Sequence, residues 1–482
     1  MTTIDNLLDG TATTSEAAAA FIEDPLSFFE MSYTKMLSVP RDRLQELQLE
    51  ALKQRFDDRR DRIPMLTKLA EKQNITSISD IDDVLPLLFE HTIYKSYPDF
   101  LLEKGDYGKM TKWLDRLTPY DLSRVDCSGC SSIHSWLDMI SAVTELDPIT
   151  SSGTTGTMSF TPKDRSDWRI FIMGGFRIQL LQTFGQPPTD ADLNEKLHVC
   201  WPTHSDGHTA FYRAPMYYKQ YFAKGSDAHF HPMMDTPGDT DLMYLAARLR
   251  AAQARGDSRV NVPDALLARV GELQAEEKER PAKAKAWIEE LVEKLQGERV
   301  FILAPAQLIY DVAKSALNEG KRCNFASNSS VTAGTGGKGF NMPDDWEQVI
   351  DDFLNFNHNY GYFYSFSEQC GMHVQCEHGR LHLSPWSIPL ILDPETSELL
   401  PREGRQKGRA AFFDLAMNGA WGGLITGDSV EIDWSECPCG RTTAHLSDSI
   451  TRFSVEQGGS DKISCTATPE AHDDAMDFLT NF

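Results

Sequence analysis

Residues 151 to 157 are Ser151-Ser152-Gly153-Thr154-Thr155-Gly156-Thr157, and Lys163 follows shortly after them. Five of these seven residues carry hydroxyl groups and the other two are glycine. Hydroxyls and open backbone N–H groups bind phosphate oxygens, and glycine lets the backbone approach a ligand closely. No Gly-Lys-Ser/Thr ending closes the run, so it is not a G-x-x-x-x-G-K-[ST] phosphate loop. We predict a loop that binds a polyphosphate, with a solvated Ser/Thr/Gly linker as the alternative.

The same run resembles the phosphate loop of the adenylate-forming (ANL) superfamily, whose members activate carboxylic acids with ATP. That loop is written [ST]-S-G-[ST]-[ST]-G, and residues 151–156 match it at every position. Two later strings follow in superfamily order. Tyr364-Ser365-Phe366-Ser367-Glu368 resembles Y-G-x-[ST]-E, with Ser365 in place of the glycine. Leu424-Ile425-Thr426-Gly427-Asp428 resembles [YR]-x-T-G-D.

The resemblance implies a role for each matched residue. Tyr364 would stack on adenine, Ser367 would meet the α-phosphate, Glu368 would hold Mg²⁺, and Asp428 would bind the ribose hydroxyls. These roles suit the residue types, because Mg²⁺ prefers carboxylates with phosphate oxygens and a carboxylate accepts from two neighbouring hydroxyls. The residues assigned to the nucleotide are Ser151, Ser152, Gly153, Thr154, Thr155, Gly156, Thr157, Tyr364, Ser367, Glu368, Asp428 and Arg441.

Composition limits the class of partner. The chain has 482 residues, 41% of them hydrophobic, and a formal net charge of −24. That charge disfavours nucleic acid and anionic membranes, so we expect neither as a partner. The N-terminus lacks the basic and apolar regions of a signal peptide, and no apolar run is long enough to span a membrane. With nine cysteines and no export signal, we expect a cytoplasmic protein with reduced or metal-bound thiols.

Apolar spacing predicts the architecture. We expect a loose arm over residues 1–24 that ends in a short helix over Ala17–Ile22, and one large adenylate-forming domain over 25–453. Strand, helix and strand over 300–304, 306–317 and 323–326 predict a crossover unit of a parallel sheet. Pro263 and Pro281 should break the helical region between 242 and 296.

The predicted fold class is therefore α/β, with a helical N-terminal third and a β-rich C-terminal subdomain over about 360–445. The tail, residues 454–482, would stand in place of the C-terminal lid. Gly458-Gly459-Ser460-Asp461-Lys462 lies where the phenylacetate–CoA ligase branch has its hinge, and only twenty residues follow Lys462. A lid domain needs about 100 residues, so we expect it to be truncated or absent.

Cysteine and histidine spacing adds a metal prediction. Cys376 and His382 precede Cys437-Pro438-Cys439-Gly440-Arg441, which resembles the C-x5-H and C-x-C-G-R pattern of that branch. Thiolates and imidazole suit a closed tetrahedral Zn²⁺ site of structural type. The resemblance points to four ligands, Cys376, His382, Cys437 and Cys439, with Cys370, His373 and His378 as spare candidates. Four unligated side chains are the alternative.

Two further motifs are less specific. Gly334-Thr335-Gly336-Gly337-Lys338-Gly339 matches G-x-G-x-x-G, but no helix opens directly on the glycines. We predict a loop that brings Lys338 near an anion, with a surface glycine loop as an equal alternative. Cys127-Ser128-Gly129-Cys130 forms a C-x-x-C pair, for which two ordinary loop thiols are the favoured interpretation.

A short tail is also typical of the acyl-protein synthetase (LuxE-type) family, the ligase subunit of the luminescence fatty-acid reductase, which this chain resembles over most of residues 20–465. Its members pass an acyl group to a cysteine near the C-terminus, and Cys465 occupies a comparable place. Lys462 would lower the pKa of that thiol. The alternative is that Cys465 is an ordinary small residue buried in the fold.

The sequence therefore predicts an AMP-forming acid–thiol ligase. A carboxylate, fatty or aryl, attacks Mg·ATP to give acyl-AMP, and the acyl group passes to Cys465, a carrier protein or CoA. Lys163 or Lys338 would supply the positive charge of the missing lid. The alternatives are an acyl- or aryl-CoA ligase and a non-catalytic nucleotide-binding subunit. The oligomeric state stays open.

Overall fold

A computed structural model gives the fold, and the residues it describes are 1–151, 157–180, 194–256, 262–334, 342–355, 362–447 and 449–453. They divide into two compact units where the sequence predicted one large domain. The first unit is Met1–Gly175 together with the chain from Tyr364 onward, and the second unit is Phe176–Phe363. No helix among the described residues is long and apolar enough to cross a membrane.

Helices dominate the N-terminal third, as predicted. The α-helices are α1 (Ile4–Leu8), α2 (Thr14–Glu23), α3 (Pro25–Phe28), α4 (Tyr33–Leu37), α5 (Arg41–Arg59), α6 (Pro64–Gln73), α7 (Phe100–Glu103), α8 (Tyr107–Asp115), α9 (Ile133–Val143), α10 (Arg165–Arg169), α11 (Ala210–Tyr221), α12 (Thr240–Arg255), α13 (Asp264–Leu267), α14 (Val270–Lys294), α15 (Ala306–Asn318) and α16 (Trp346–Leu354). Among the described residues there are also 3₁₀ segments over Ile81–Leu87, Ile93–Lys95 and Asp227–His229, and a π-helical segment over Ile170–Leu180.

The strands are short except near the C-terminus. They are β1 (Phe89–Glu90), β2 (Ile149–Thr150), β3 (Phe160–Thr161), β4 (His198–His204), β5 (Phe230–Met234), β6 (Val300–Pro305), β7 (Ser330–Gly334), β8 (Phe363–Tyr364), β9 (His373–Gln375), β10 (Leu381–His382), β11 (Ser387–Leu392), β12 (Arg405–Asp414), β13 (Gly423–Asp433), β14 (His445–Leu446) and β15 (Thr451–Arg452). The mixture confirms the predicted α/β class.

The N-terminal arm contains more helix than the sequence predicted: the expected helix over 17–22 lies within α2, and α1 lies in the part expected to be loose. Thr13 and Glu16 form a capping box that starts α2. Ala17, Ala18 and Phe21 on that helix are buried, and Arg55 of α5 donates to the Ile22 carbonyl at 3.0 Å. The polar composition concealed these few apolar contacts, which are enough to fix two short helices.

The C-terminal sheet of the first unit is organised around β13. Its order is β11-β12-β13-β14-β10-β9-β8, and β1 and β15 also pair with β13. β12 lies antiparallel beside β13, and β11 lies antiparallel on the other side of β12. β1 pairs with β13 in parallel, with Phe89 opposite Leu424. One buried cluster supports the sheet: Leu381, Leu383, Ile391, Ala410, Phe412, Val430, Ile432, Trp434 and Leu446. β13 therefore fixes the position of the predicted Asp428 site.

The second unit contains a four-stranded parallel sheet in the order β5-β4-β6-β7. Helix α14 packs Trp287, Ile288 and Leu291 into its core. The predicted break at Pro281 was wrong, because α14 continues through it. A proline inside a helix costs about 3 kcal/mol, which the packing of the following turns offsets.

The predicted crossover unit exists with a different last strand. Residues 323–326 are not a strand, since Cys323 donates to the Phe353 carbonyl and Ala326 to the Glu298 carbonyl. The strand that pairs with β6 is β7, and Ile302 lies opposite Val331. Apolar content alone did not distinguish residues 323–326, whose backbone hydrogen bonds go to residues outside the sheet, from β7, whose backbone pairs with β6.

Candidate functional site

A hairpin of the first unit carries the predicted phosphate loop. Ile149 pairs with Thr161 and Thr150 with Phe160, so the two strands bracket the run. Ser151 closes the hairpin, because its backbone N–H donates to the Ser159 carbonyl at 3.2 Å and its Oγ accepts from Ser159 N at 3.0 Å. Residues 152–156 lie outside the described part of the chain, and Thr157 is half-buried.

Buried aromatic rings support this hairpin. Phe160 of β3 contacts Tyr97, Trp113 and Trp136, with ring centroids 5.3, 6.4 and 5.2 Å away. The Tyr97 hydroxyl also donates to the Met158 carbonyl at 2.9 Å. Edge-to-face packing of this kind fixes the strand that leads out of the loop.

Lys163 lies just beyond the hairpin and is 1% exposed. Its Nζ donates to the Gln369 carbonyl at 2.5 Å and lies 5.5 Å from the centroid of the Phe171 ring. Gln369 directly follows Glu368. The structure thus joins two of the predicted motifs through Lys163, and the role of its charge toward phosphate stays a prediction.

The Tyr364–Glu368 string leads from β8 into a loop whose far side is anchored. Ser367 Oγ donates to Glu368 Oε2 at 2.9 Å. Beyond Glu368, two consecutive backbone N–H groups donate to Asp414 Oδ2, from Cys370 at 2.6 Å and from Gly371 at 2.8 Å. The glutamate therefore lies in a loop fixed on its C-terminal side by a buried carboxylate.

Tyr364 and Asp428, which are 64 residues apart in sequence, meet directly. The Tyr364 hydroxyl donates to Asp428 Oδ2 at 2.8 Å. The other oxygen, Oδ1, pairs with Nη1 of Arg452 at 3.2 Å. A carboxylate offers about four acceptor sites, so both oxygens can still accept from ribose hydroxyls. The structure brings together the two residues to which the resemblance assigned adenosine.

Sequence reasoning missed two residues that lie beside Gly427, the neighbour of Asp428 in the chain. A Cβ built on Gly427 would lie 3.3 Å from Nη1 of Arg452 and 3.5 Å from Nε2 of His91. His91 reaches this place because β1 runs beside β13 and its N–H donates to the Ile425 carbonyl. Neither residue lies in a motif string, so no sequence signal singled them out.

A third missed residue is Tyr94, in the 3₁₀ turn after β1. It is buried, and burial together with the nearby Glu368 carboxylate raises its pKa above the usual range. The segment from Phe89 to Lys95 therefore lies beside the Glu368 and Asp428 strings.

A buried acidic pair follows Lys163. Asp164 accepts from the Tyr120 hydroxyl at 2.6 Å, and Asp167 accepts from the backbone N–H of Asn418 at 2.6 Å and of Gly419 at 2.9 Å. Burial, and then the charge of Asp164, raise the pKa of Asp167 above its usual range. These contacts tie the segment after the phosphate loop to the turn between β12 and β13.

Arg441 has its contacts with residues outside the other predicted nucleotide strings, and its role toward the nucleotide stays a prediction. Its Nη1 donates to Glu377 Oε2 at 2.7 Å and its guanidinium lies 5.3 Å from the centroid of the Tyr33 ring. Arg452 is the arginine that pairs with Asp428. The structure therefore places Arg441 next to the candidate metal ligands.

Cys376, His382, Cys437 and Cys439 form a cluster, called the cysteine cluster below, in which one donor atom of each lies within 4.8 Å of the others. Cys376 Sγ is 3.9 Å from Cys437 Sγ, and Cys439 Sγ is 3.2 Å from His382 Nε2. A tetrahedral site with Zn–S bonds of about 2.3 Å has sulfur atoms about 3.8 Å apart. The donor set and its spacing fit Zn²⁺.

The electrostatics of the cysteine cluster suit a neutral imidazole ligand. Burial lowers the pKa of His382 to about 3, and its Nδ1 is 3.3 Å from Thr443 Oγ1, which leaves Nε2 facing the thiols. A partner on the second ring nitrogen is the usual arrangement for a metal-binding histidine.

The other candidates lie apart from this cluster. Cys370 Sγ is 3.9 Å from Lys163 Nζ, the His373 ring packs 5.4 Å from Phe412, and His378 is exposed. In the C-x-x-C pair, Cys127 Sγ contacts Thr111 Oγ1 at 3.1 Å. Cys130 Sγ has another partner and donates to the Ser135 carbonyl. Lys338 and Cys465 lie outside the described residues.

No protein-family model and no curated protein matches the chain. Solved structures do. One is 2-hydroxyisobutyryl-CoA ligase in complex with 2-HIB-AMP and CoA, with a TM-score of 0.49 and 12% identity, covering 87% of this chain and 71% of that chain. Another is the amide bond synthetase McbA from Marinactinospora thermotolerans, with a TM-score of 0.31 and 13% identity. The match covers 64% of this chain and 49% of that chain.

A third similar structure is an ATP-bound RpMatB-BxBclM chimera, with a TM-score of 0.31 and 13% identity, covering 65% of this chain and 52% of that chain. At these identities and TM-scores the likeness is one of fold, and the ligands named are those of the solved proteins.

Proposed function

We propose that this chain is an AMP-forming ligase that activates a carboxylic acid with ATP. The observation that carries the proposal is the convergence of separate motifs within the first unit. Lys163, beyond the phosphate-loop hairpin, bonds to the residue after Glu368, and Tyr364 at the start of that string bonds to Asp428. A nucleotide with its magnesium ion needs contacts of this kind at three places, on its phosphates, its metal and its ribose.

In the proposed reaction, an oxygen of the substrate carboxylate bonds to the α-phosphorus of ATP. The bond from that phosphorus to the bridging oxygen breaks, and pyrophosphate leaves with the electron pair. Hydroxyl and N–H groups of residues 151–157 hold the β- and γ-phosphates. Asp428 binds the ribose, the Tyr364 ring covers adenine, and Arg452 adds positive charge.

Glu368 is the residue that would hold Mg²⁺. Its carboxylate lies in an anchored loop, and the ion prefers one or two carboxylates with phosphate oxygens. When bound, the ion neutralises charge that develops on the phosphates. The chain's own contribution is to hold this carboxylate and the nucleotide in a fixed relation.

We further propose that the acyl group passes from AMP to a thiol. The sulfur of a thiolate attacks the acyl carbon, and AMP leaves with the electrons of the broken C–O bond. Cys465, a carrier protein and CoA are the acceptors to distinguish. Acceleration of AMP release by free CoA would identify a CoA ligase, and acyl-enzyme that fails to form in Cys465→Ser would identify the chain's own thiol.

The test is carboxylate-dependent ATP–pyrophosphate exchange, screened over a panel of fatty and aryl acids. We expect exchange with at least one acid, and its loss in Asp428→Ala. Thr426→Ser, which keeps the hydroxyl that donates to the Ala410 carbonyl, is the matched control. Tight ATP binding without exchange for any acid would instead favour a non-catalytic nucleotide-binding subunit.

We also propose that the cysteine cluster holds one structural Zn²⁺. The support is the donor set and its tetrahedral spacing. Metal analysis of protein purified without chelator should find about one zinc per chain, and Cys439→Ser should lose it. Cys130→Ser, a half-buried thiol outside the cluster, is the control. Zinc-free protein of unchanged thermal stability would refute the site.

A further inference from the structure

Three consecutive residues of the loop after Glu368, residues 369–371, are hydrogen-bonded through their backbone to two buried charged side chains, Lys163 and Asp414. Lys163 Nζ donates to the carbonyl of Gln369 at 2.5 Å, and Asp414 Oδ2 accepts from the N–H groups of Cys370 and Gly371. Lys163 and Asp414 are each 1% exposed. The loop is therefore fixed from two sides by charged side chains that water does not reach.

Asp414 is itself held in place. It ends β12, its backbone N–H donates to the Gly422 carbonyl at 2.9 Å, and its second oxygen accepts from Ala416 N at 2.9 Å. A Cβ on Gly371 would lie 2.2 Å from Ser387 Oγ, so the loop approaches the sheet at backbone distance. The carboxylate thus joins a rigid sheet to the loop.

A buried carboxylate is costly unless hydrogen bonds compensate for its lost hydration. Burial raises the pKa of Asp414, and the N–H donors from Gly371, Ala416 and Cys370 act in the opposite direction, as does the charge of Lys163. An apolar side chain would avoid that cost but would leave three buried N–H groups, of Cys370, Gly371 and Ala416, without this acceptor. What the carboxylate adds is a defined path for the backbone that follows Glu368.

We propose that Asp414, with Lys163 opposite, is a positioning residue that keeps the Glu368 carboxylate oriented toward the metal ion of the bound nucleotide. This inference rests on the proposed function. Charge-assisted hydrogen bonds from a fixed acceptor restrict the loop more strongly than neutral ones do. Asp414 acts through the backbone and touches neither nucleotide nor metal.

The test measures binding of a fluorescent ATP analogue to the full chain, as a function of Mg²⁺ concentration, with no acid substrate present. We expect Asp414→Asn to raise the Mg²⁺ concentration at half-saturation roughly tenfold, the size of a weakened charged hydrogen bond. Affinity for the analogue without Mg²⁺ should stay at the wild-type value, because Tyr364 and Asp428 are unchanged.

Asp167→Asn is the matched control, because Asp167 is also fully buried and, like Asp414, accepts three backbone N–H groups, from Asp164, Asn418 and Gly419. We expect it to lower stability and to leave the Mg²⁺ dependence unchanged. If Asp414→Asn does not fold, Lys163→Met tests the same loop from the other side and should give the same shift.

The outcomes separate the two proposals. Wild-type Mg²⁺ dependence in Asp414→Asn and Lys163→Met, with normal nucleotide binding, would overturn the positioning role and leave the proposed function standing. A shift of equal size in Asp167→Asn would also overturn it, because loss of stability alone would then explain the effect. A wild-type chain that binds no nucleotide would overturn both.

Discussion

Asp428 lies between a tyrosine that precedes it in sequence and an arginine that follows it. The Tyr364 hydroxyl donates to one oxygen, and Arg452 pairs with the other. The carboxylate is therefore oriented before any ligand arrives, which reduces the ordering that binding would require. The Tyr364 hydroxyl donates to Asp428, whereas contact of the Tyr364 ring with the base stays a prediction.

We expect Tyr364→Phe to raise the KM for ATP in pyrophosphate exchange by about tenfold, because a hydrogen bond to a charged group is lost while the ring remains. Tyr362→Phe is the matched control, since the Tyr362 hydroxyl donates to Glu347 instead. An unchanged KM in Tyr364→Phe would show that the hydroxyl does not orient Asp428.

Histidine titration should affect the stability of the second unit. Burial, and then the neighbouring His229 and His231 rings, lower the pKa of His198 to about 4, whereas an unfolded chain titrates near pH 6.5. Between these values only the unfolded chain binds the proton. The stability that His198 contributes is thus present above about pH 6.5 and is lost as the pH falls toward 4.

We expect His198→Asn to reduce the fall in melting temperature between pH 6.5 and 4, measured relative to wild type at each pH. His378→Asn, at an exposed position, should leave the slope as it is. A His198→Asn slope equal to that of wild type would refute the assignment. Charged side chains also lie near these histidines: Glu290 and Lys294 near His231, and Glu298 near His198. Both variants keep these charges, so the comparison of slopes holds them constant.

Single residues were predictable where a motif string names them and unpredictable where only the fold brings them near. Tyr364 and Asp428 could be paired in advance because each lies in a string with a known order. Arg452 and His91 lie in no string, and their place beside Gly427 follows from β1 and β15 pairing with β13. Arg441 follows Asp428 in sequence, but the course of the chain carries it to the cysteine cluster.

The turn between β12 and β13 leaves no space for a side chain at Gly419. A Cβ there would lie 1.8 Å from the Pro162 carbonyl oxygen, while Asp167 and Thr118 hold the same residue by its N–H and its carbonyl. Gly419→Ala therefore requires the segment after the phosphate-loop hairpin to move.

We expect Gly419→Ala to destabilise the chain by about 1–3 kcal/mol, the usual cost of overpacking, and to weaken ATP binding as well. Denaturant unfolding measures the first effect and nucleotide titration the second. At Gly129 nothing lies within 4 Å of the added Cβ, so Gly129→Ala should be neutral in both. An equally neutral Gly419→Ala would show that the turn can relax.

At the scale of elements, local signals predicted helices better than strand partners. Ser132 caps α9, because its side chain accepts from Ser135 N, and such a cap is a local signal. The sequence placed the outer strand at 323–326, whereas the strand is β7. Pairing with β6 decides this, and a local pattern does not reveal such a pairing. Pro281 was misjudged for the same reason, because distant packing sustains α14.

The second unit has the components of an independent domain, a parallel sheet and a hydrophobic cluster of its own. We expect a fragment of residues 176–363 to fold alone, because its described core is supplied by continuous sequence. Circular dichroism and a cooperative thermal transition would verify this, and a fragment that melts without a transition would contradict it. The first unit is built from two separated segments, so neither segment should fold by itself.

The parallel pairing of β1 with β13 has a consequence for biosynthesis. Trp421 donates to the Leu87 carbonyl across 334 residues of chain, in the same region where Phe89 lies opposite Leu424. At 5–20 residues per second, a ribosome takes roughly 15–70 s to make what separates them. During that interval the short early strand has no partner. Chaperone binding to a nascent chain of this kind would protect the early strand until β13 has been made.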